Sequence, residues 1–161
     1  MERDSGLLEL AADYWACRDI DSLLKVFTTR VGTRLDAHTV LVWLLDDAKE
    51  NLLCRSCWFE AGMRLEPGVA SVSKGFLMEI LEVSRPLCLR EGEIGPTMHL
   101  HLKKDDRERV ETALYASIRH PTGVEGVVEV LNKRSGEFTT EDASFVPRTA
   151  VGFLSSAHCH G

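Results

Sequence analysis

Residues 113–143, ALYASIRHPTGVEGVVEVLNKRSGEFTTEDA, constrain the fold more tightly than any other part of the chain. Leu114, Ala116 and Ile118 alternate with Tyr115, Ser117 and Arg119, which is the two-residue period of a strand. Pro121 and Gly123 supply turn chemistry over 120–125. Residues 126–132, GVVEVLN, are β-branched and mostly apolar and read as the returning strand. Two strands joined by a short loop form a hairpin, expected in the middle of an antiparallel sheet. A polar turn follows, and Thr139 with Asp142 three residues on marks a helix start of the capping-box kind.

The rest of the chain supplies what that hairpin needs on either side and on both faces. Leu7, Leu8, Ala11, Tyr14 and Trp15 fall on one stripe of a helix over 5–17. A second helix is expected from Asp21, with Leu24, Phe27, Val31 and Leu35 at helical spacing and Asp36 as its end. Residues 39–45, TVLVWLL, are too short and too continuously apolar for an amphipathic helix and predict a strand covered on both faces. Residues 46–51 are a polar hairpin loop, and 52–59, LLCRSCWF, are its second strand. Residues 60–72 hold Gly62, Pro67 and Gly68 and read as loop. A helix capped by Ser73 should end before Arg85–Pro86, since the residue before proline avoids helical geometry. Residues 87–89 are a short strand, 91–104 are irregular, and 105–112 hold one or two helical turns. The last helix begins at Thr140 with Val146, Ala150, Phe153 and Leu154 on its apolar stripe, and Pro147 should kink or restart it. The expected architecture is α/β (α+β). A central antiparallel sheet of about five to six strands lies between terminal helices on one face and a middle helix plus loops on the other.

Size and charge narrow the functional classes. A chain of 161 residues predicts a single domain with its core over about 7–157. A formal charge of −6 argues against a nucleic-acid partner, because neutralising phosphates needs a basic face. The basic residues Lys103, Lys104, Arg107 and Arg109 are interrupted by acids and read as a solvated helix face. No run approaches the ~20 apolar residues of a membrane span, and the polar start MERDSG is not a signal peptide, so the expected location is the cytoplasm with no membrane partner. Five scattered cysteines then read as free thiols.

The order of elements and the local wording resemble the GAF domain. Asp21-Ser-Leu-Leu before a helix and the strand 40–45 ending in Asp46-Asp47 are similar to that family's opening. Gly75 in the helix, followed by Arg85-Pro86-Leu87, resembles its middle segment. The most specific part is 126–142, where Asn132-Lys133, Phe138 and the Thr-Thr-Glu-Asp helix start follow in the family's order. The resemblance implies a small-molecule sensory and regulatory domain, one module of a larger signalling protein that carries an effector domain. It also implies a homodimer paired through the terminal helices.

The chemistry visible in the residues is sparse, and the chain is expected not to be an enzyme. Asn132, Lys133, Phe138 and Asp142 are similar to the signature of cyclic-nucleotide-binding members, but Ala143 stands where that signature has an acid. The expected role of Lys133 and Asp142 is therefore a structural tie between strand end and helix start. Pigment-binding members use a cysteine often beside a histidine, and only Cys159–His160 offers such a pair here, in the tail. His99 and His101 read as loop residues bordering a pocket. Cys54 and Cys57, three apart in a strand, should face opposite sides, which is poor geometry for a shared metal or a disulfide, and they do not match the family branch that reduces free methionine sulfoxide. Glu129 is a lone acid in an apolar strand and should pair with a base such as Arg119.

These readings lead to a non-enzymatic domain that binds an unidentified small molecule, with no cofactor assigned, and signals through its terminal helices. The alternative is a ligand-free dimerisation or protein-interaction module. The expected pocket lies between one sheet face and residues 62–112, lined by Trp43, Phe59, Phe76, Met98, His99, Tyr115, Ser117 and Arg119. The aromatics would stack on a flat ligand, and Arg119 would hold an anionic group.

Overall fold

A computed structural model gives the architecture, and it describes residues 20–59, 71–119 and 125–160. Helix α1 (Ile20–Leu35) leads into strands β1 (Ala37–Leu45), β2 (Leu52–Phe59) and β3 (Ser71–Val72). Helix α2 (Phe76–Ile80), strand β4 (Leu87–Leu89) and helix α3 (Lys104–Glu108) follow. Strands β5 (Ala113–Arg119) and β6 (Glu125–Lys133) form the hairpin, and helix α4 (Thr140–His160) closes the order. The six strands make one antiparallel sheet in the order β3-β2-β1-β6-β5-β4. The α+β architecture is the one the hydrophobic periods predict. The helix expected over 5–17, most of the 60–72 loop and residues 120–124 of the expected turn lie outside the described residues.

Strand alternation divides the core into two layers. On one face Leu23, Leu24, Phe27 and Val31 of α1 and Phe145, Val146 and Ala150 of α4 pack on Val40, Val42, Leu114, Ala116, Val128 and Val130. Each such side chain is fully or nearly fully buried, and each one larger than alanine contributes about 1.5–3 kcal/mol by leaving water. On the other face Leu41, Trp43, Leu77, Ile80, Leu102, Val110, Tyr115, Val127 and Leu131 form a second cluster under α2 and the loops that flank it. β1 has six consecutive buried residues, 39–44, covered from both sides as its unbroken apolar run requires, and Ala37 is buried beyond the half-buried His38.

Four elements differ from their sequence expectation. Residues 71–72, expected as the end of a loop, pair with Leu53 and Leu52 as the edge strand β3. Helix α1 starts at Ile20, one residue before the anticipated cap at Asp21. Helix α2 starts three residues after Ser73, behind Gly75 at φ 99, with no side-chain cap, because the chain enters it through a left-handed turn that glycine adopts freely. It ends well before Arg85–Pro86, in two turn bonds, Glu82 N–H to the Glu79 carbonyl and Val83 N–H to the Ile80 carbonyl. Helix α4 runs through Pro147 without restarting.

The hairpin exit is held by a polar cluster. Asn132 takes the left-handed conformation (φ 59); its Oδ1 accepts the Glu111 and Thr112 N–H groups at 2.7 and 3.2 Å, and its Nδ2 donates to the Arg109 carbonyl at 3.0 Å. Lys133 Nζ donates to Asp142 Oδ2 at 2.5 Å, the tie expected from the sequence. Thr139 Oγ1 accepts the Asp142 N–H at 3.1 Å while Asp142 Oδ2 accepts the Thr139 N–H at 2.9 Å, a reciprocal capping box. Asn132→Ala is expected to lose about 2–3 kcal/mol in urea unfolding, because three hydrogen bonds go and the left-handed backbone stays. A Cβ at Gly126 would collide with the Trp43 carbonyl oxygen and with Leu44, so Gly126→Ala should cost about 1–3 kcal/mol in the same measurement.

Candidate functional site

The second layer contains a charge where the pattern calls for a hydrophobe. Glu129 sits in the middle of β6, with Leu41 of β1 and Tyr115 of β5 directly opposite it on either side. Its side chain is completely buried. His101, from the irregular segment, reaches it with Nε2 2.9 Å from Oε1 and 3.1 Å from Oε2. Trp43 Nε1 donates to Oε1 at 3.2 Å, and His99 Nε2 lies 3.7 Å from Oε2. His99 Nε2 also shares a hydrogen bond with the Tyr115 hydroxyl. The rings enclose these polar atoms: His101 meets Trp43 edge-on at 5.3 Å, Phe76 meets Tyr115 edge-on at 4.9 Å, and His99 stacks near Tyr115 at 6.1 Å.

Electrostatics follow from that enclosure. Burial alone drives the Glu129 carboxyl toward its neutral form. The charge and hydrogen bond of His101, the charge of His99 and the Trp43 N–H outweigh burial, and the carboxyl stays below its usual range. His99 moves down, chiefly because burial disfavours its charged form; Glu129 opposes this and His101 adds to it. The Tyr115 phenol rises through burial, then through the charge and hydrogen bonding of Glu129, so it remains protonated. The site is a buried anion held by imidazole, indole and phenol, with a neutral histidine beside it.

The structure brings Trp43, Phe76, His99 and Tyr115 together, and Phe59 packs half-buried on the same layer. Met98 stands at the edge, where its Sδ accepts the Gly95 N–H at 3.3 Å. Ser117 and Arg119 lie on the same sheet face but reach the turn after α2: Ser117 Oγ donates to the Val83 carbonyl at 2.9 Å, and Arg119 donates to the Leu81 carbonyl. They border a separate depression with Glu82, Ser84, Pro147 and Ala150. Glu129 pairs with His101 and not with Arg119, and His99 and His101, expected to border a pocket, are buried (1% and 4% exposed). The two-residue spacing of the histidines was the available signal that both reach one side.

The cysteines also differ from expectation. Val42 pairs with Ser56 but Trp43 pairs with Cys54, which leaves Arg55 as the extra residue of a bulge. Cys57 therefore opposes Leu41 and Cys54 opposes Trp43, two residues of one face, so both thiols lie on the Glu129 side. Burial, then Cys57 and Glu129, pushes the Cys54 thiol up to about 12. Burial also raises Cys57 and, with Asp142, Cys88. Among the described residues no three His, Cys, Asp or Glu side chains gather to hold a metal ion. No helix among them is long and apolar enough to cross a membrane.

Comparison with solved structures identifies the fold. The GAF domain of an Acinetobacter phosphoenolpyruvate-protein phosphotransferase superposes with a TM-score of 0.77 at 17% identity over 97% of this chain and 93% of that one. The corresponding GAF domain from Coxiella burnetii gives 0.76 at 15% over 98% and 93%. A free methionine-R-sulfoxide reductase from Neisseria meningitidis, solved with its substrate, gives 0.76 at 9% over 98% and 89%. No family model and no curated protein matches the sequence. The chain has the GAF fold.

The two shifted groups predict a directional loss of stability in acid. His99 is held below its ordinary 6.5, so on acidification the unfolded chain takes up that proton first and stability falls below about pH 6.5. Glu129 is held below its ordinary 4.5, so its contribution is present above that pH and is lost as pH falls toward the folded value. A thermal midpoint followed from pH 7.5 to 3.5 should decline in both windows. His99→Asn should flatten the upper decline and Glu129→Gln the lower. Glu129→Ala, which strands His101, should cost about 3–5 kcal/mol at neutral pH.

Proposed function

We propose that this chain is a sensory or regulatory domain that binds a small molecule on the Glu129 face of its sheet and transmits occupancy through its terminal helices, in a homodimer coupled to an effector domain. The observation that carries the reading is the buried Glu129, His101, His99 and Tyr115 network, with one histidine nitrogen left without a partner among the described residues, on the face opposite the α1 and α4 layer. Polar groups of this kind in an otherwise apolar layer orient ligands in concave sites. The GAF fold of domains from sensory proteins, such as a methyl-accepting chemotaxis protein, agrees with it.

A non-enzymatic role is supported by the thiols. The fold also occurs in free methionine-R-sulfoxide reductases, but a nucleophilic cysteine needs a thiolate, and Cys54, Cys57 and Cys88 are all shifted the other way. A ligand-free interaction module is the second reading, favoured by Trp43 and Tyr115, which fill the layer with fully buried side chains. Val146 and Ala150 are buried against the chain's own sheet, so a dimer would use other parts of the terminal helices.

A thermal-shift screen with cyclic nucleotides, haem, 2-oxo acids, small anions and divalent metals decides between the two. A ligand at ~100 times its dissociation constant stabilises by about 2.7 kcal/mol. A response abolished by Trp43→Phe or Phe76→Ala supports sensing on this face, and a flat screen supports the interaction module. In a Cys17→Ser/Cys159→Ser background, the remaining thiols should react with a disulfide reagent at pH 7.5 more slowly than free cysteine. A fast-reacting thiol there would overturn the non-enzymatic reading.

A further inference from the structure

Glu129 keeps its charge at a position with no exposure to solvent. Two of its donors are neutral and come from the neighbouring strands, Trp43 Nε1 on β1 and the Tyr115 hydroxyl on β5. Tyr115 in turn accepts from His99 Nε2, and burial keeps the His99 ring neutral. The ring that can oppose the charge is His101, whose Nε2 spans both carboxylate oxygens at 2.9 and 3.1 Å. A buried ion pair is weak support for a fold, since apolar residues of the same volume often serve as well.

The two halves of the pair are held very differently. Glu129 is fixed in β6 by ladders on both sides, opposite Leu41 and Tyr115. His101 comes from the stretch between β4 and α3, whose backbone closes local turns: Glu93 N–H to the Arg90 carbonyl, Met98 N–H to Gly95, and Leu102 N–H to His99. That stretch is one residue deep over the carboxylate. His99 and His101 point inward, and Leu100 between them is 58% exposed. Swinging His101 out opens the carboxylate to solvent and leaves the ladders of β1, β6 and β5 unbroken. What remains is an anion with two neutral donors, walled by the rings of Trp43, Tyr115 and Phe76, and the His101 ring itself lies 5.3 Å from that of Trp43. A carboxylate beside aromatic rings is the chemistry that holds organic cations, through charge-assisted hydrogen bonds and attraction to the ring faces.

We propose that His101 is an internal competitor for the ligand: a small molecule bearing an ammonium or guanidinium group displaces it from the Glu129 carboxylate and takes its place beside Trp43. The inference rests on the ligand-sensing reading and assigns its chemical class. It also makes release of the His101 segment the first structural consequence of binding. Arg119, expected from the sequence to hold an anion, lies away from this position with its guanidinium on the Leu81 carbonyl.

Ring-nitrogen NMR of the histidine-labelled chain tests it. Ethylammonium and methylguanidinium chlorides are titrated separately against sodium chloride at matched ionic strength, with acetamide as the neutral control. At least one of the two cations should give a saturable shift of the His101 ring toward that of a solvent-exposed imidazole, and sodium and acetamide should give none. The cation that binds more tightly identifies the ammonium or guanidinium class. Glu129→Gln should weaken binding by about tenfold or more, because the charge goes and the shape stays. His101→Ala should tighten it by about tenfold or more, since the site no longer has to be freed from the histidine. A histidine that touched the ligand would give the opposite sign. His101→Gln keeps a neutral donor and should tighten binding by less, and it reports the same sign if the alanine variant does not fold. Saturable binding that leaves the His101 ring unshifted, weaker binding in either His101 variant, unchanged binding in Glu129→Gln, or no saturation by either cation up to about 50 mM would overturn the competition. A neutral or anionic compound that stabilises the protein in the thermal screen while His101 stays on Glu129 would overturn it too, and the sensing reading would stand. A screen flat for every compound, the two cations included, would remove both.

Discussion

The carboxylate of Glu129 is the constraint that the sheet's loop-covered face is built around. A charge in the middle of a central strand, with both neighbouring strands in place, has no access to water, and its desolvation has to be met by donors from elsewhere. Trp43 comes from the adjacent strand, but His101 has to come from a segment with no regular structure of its own. The irregular stretch is thereby fixed: His101 anchors on the carboxylate, His99 on Tyr115, and Leu102 is fully buried in the same layer. A polar network orders a loop that hydrogen bonds of its own would hold only weakly.

The two faces of the sheet do different work. Under α1 and α4 the layer is mainly apolar, and its buried threonines Thr28 and Thr149 bond back to carbonyls of their own helices. Under α2 and the loops the same strands present titratable side chains, aromatic rings and an unpartnered nitrogen. The alternation of a strand lets one sequence serve both ends: Val128 and Val130 pack the helices while Glu129 between them meets the histidines.

Most of the fold was legible in the residues. The strands 52–59 and 87–89 and the 113–133 hairpin follow from apolar runs and turn residues, and the Asn132, Lys133, Phe138 and Asp142 series proved structural, tying β6 to the 109–112 segment and to α4. What was not legible depends on distance along the chain. Nothing near His101 indicates a carboxylate 28 residues away, so a loop histidine reads as exposed. The bulge at Arg55 is equally silent, since it depends on how β2 meets β1, and it brings to one face Cys54 and Cys57, which simple alternation assigns to opposite faces. The aromatic residues of the site, Trp43, Phe76 and Tyr115, could be found because strand parity and helical spacing place them directly.

The clasp between Lys133 and Asp142 has a mechanical side. Glu129 and Lys133 lie on one strand, four residues or about 13 Å apart. Asp142 holds Lys133 and also the first turn of α4, through the same oxygen. The strand that carries the buried carboxylate and the start of the longest described helix are therefore tied at one carboxylate oxygen, so two layers of the molecule meet through a single atom.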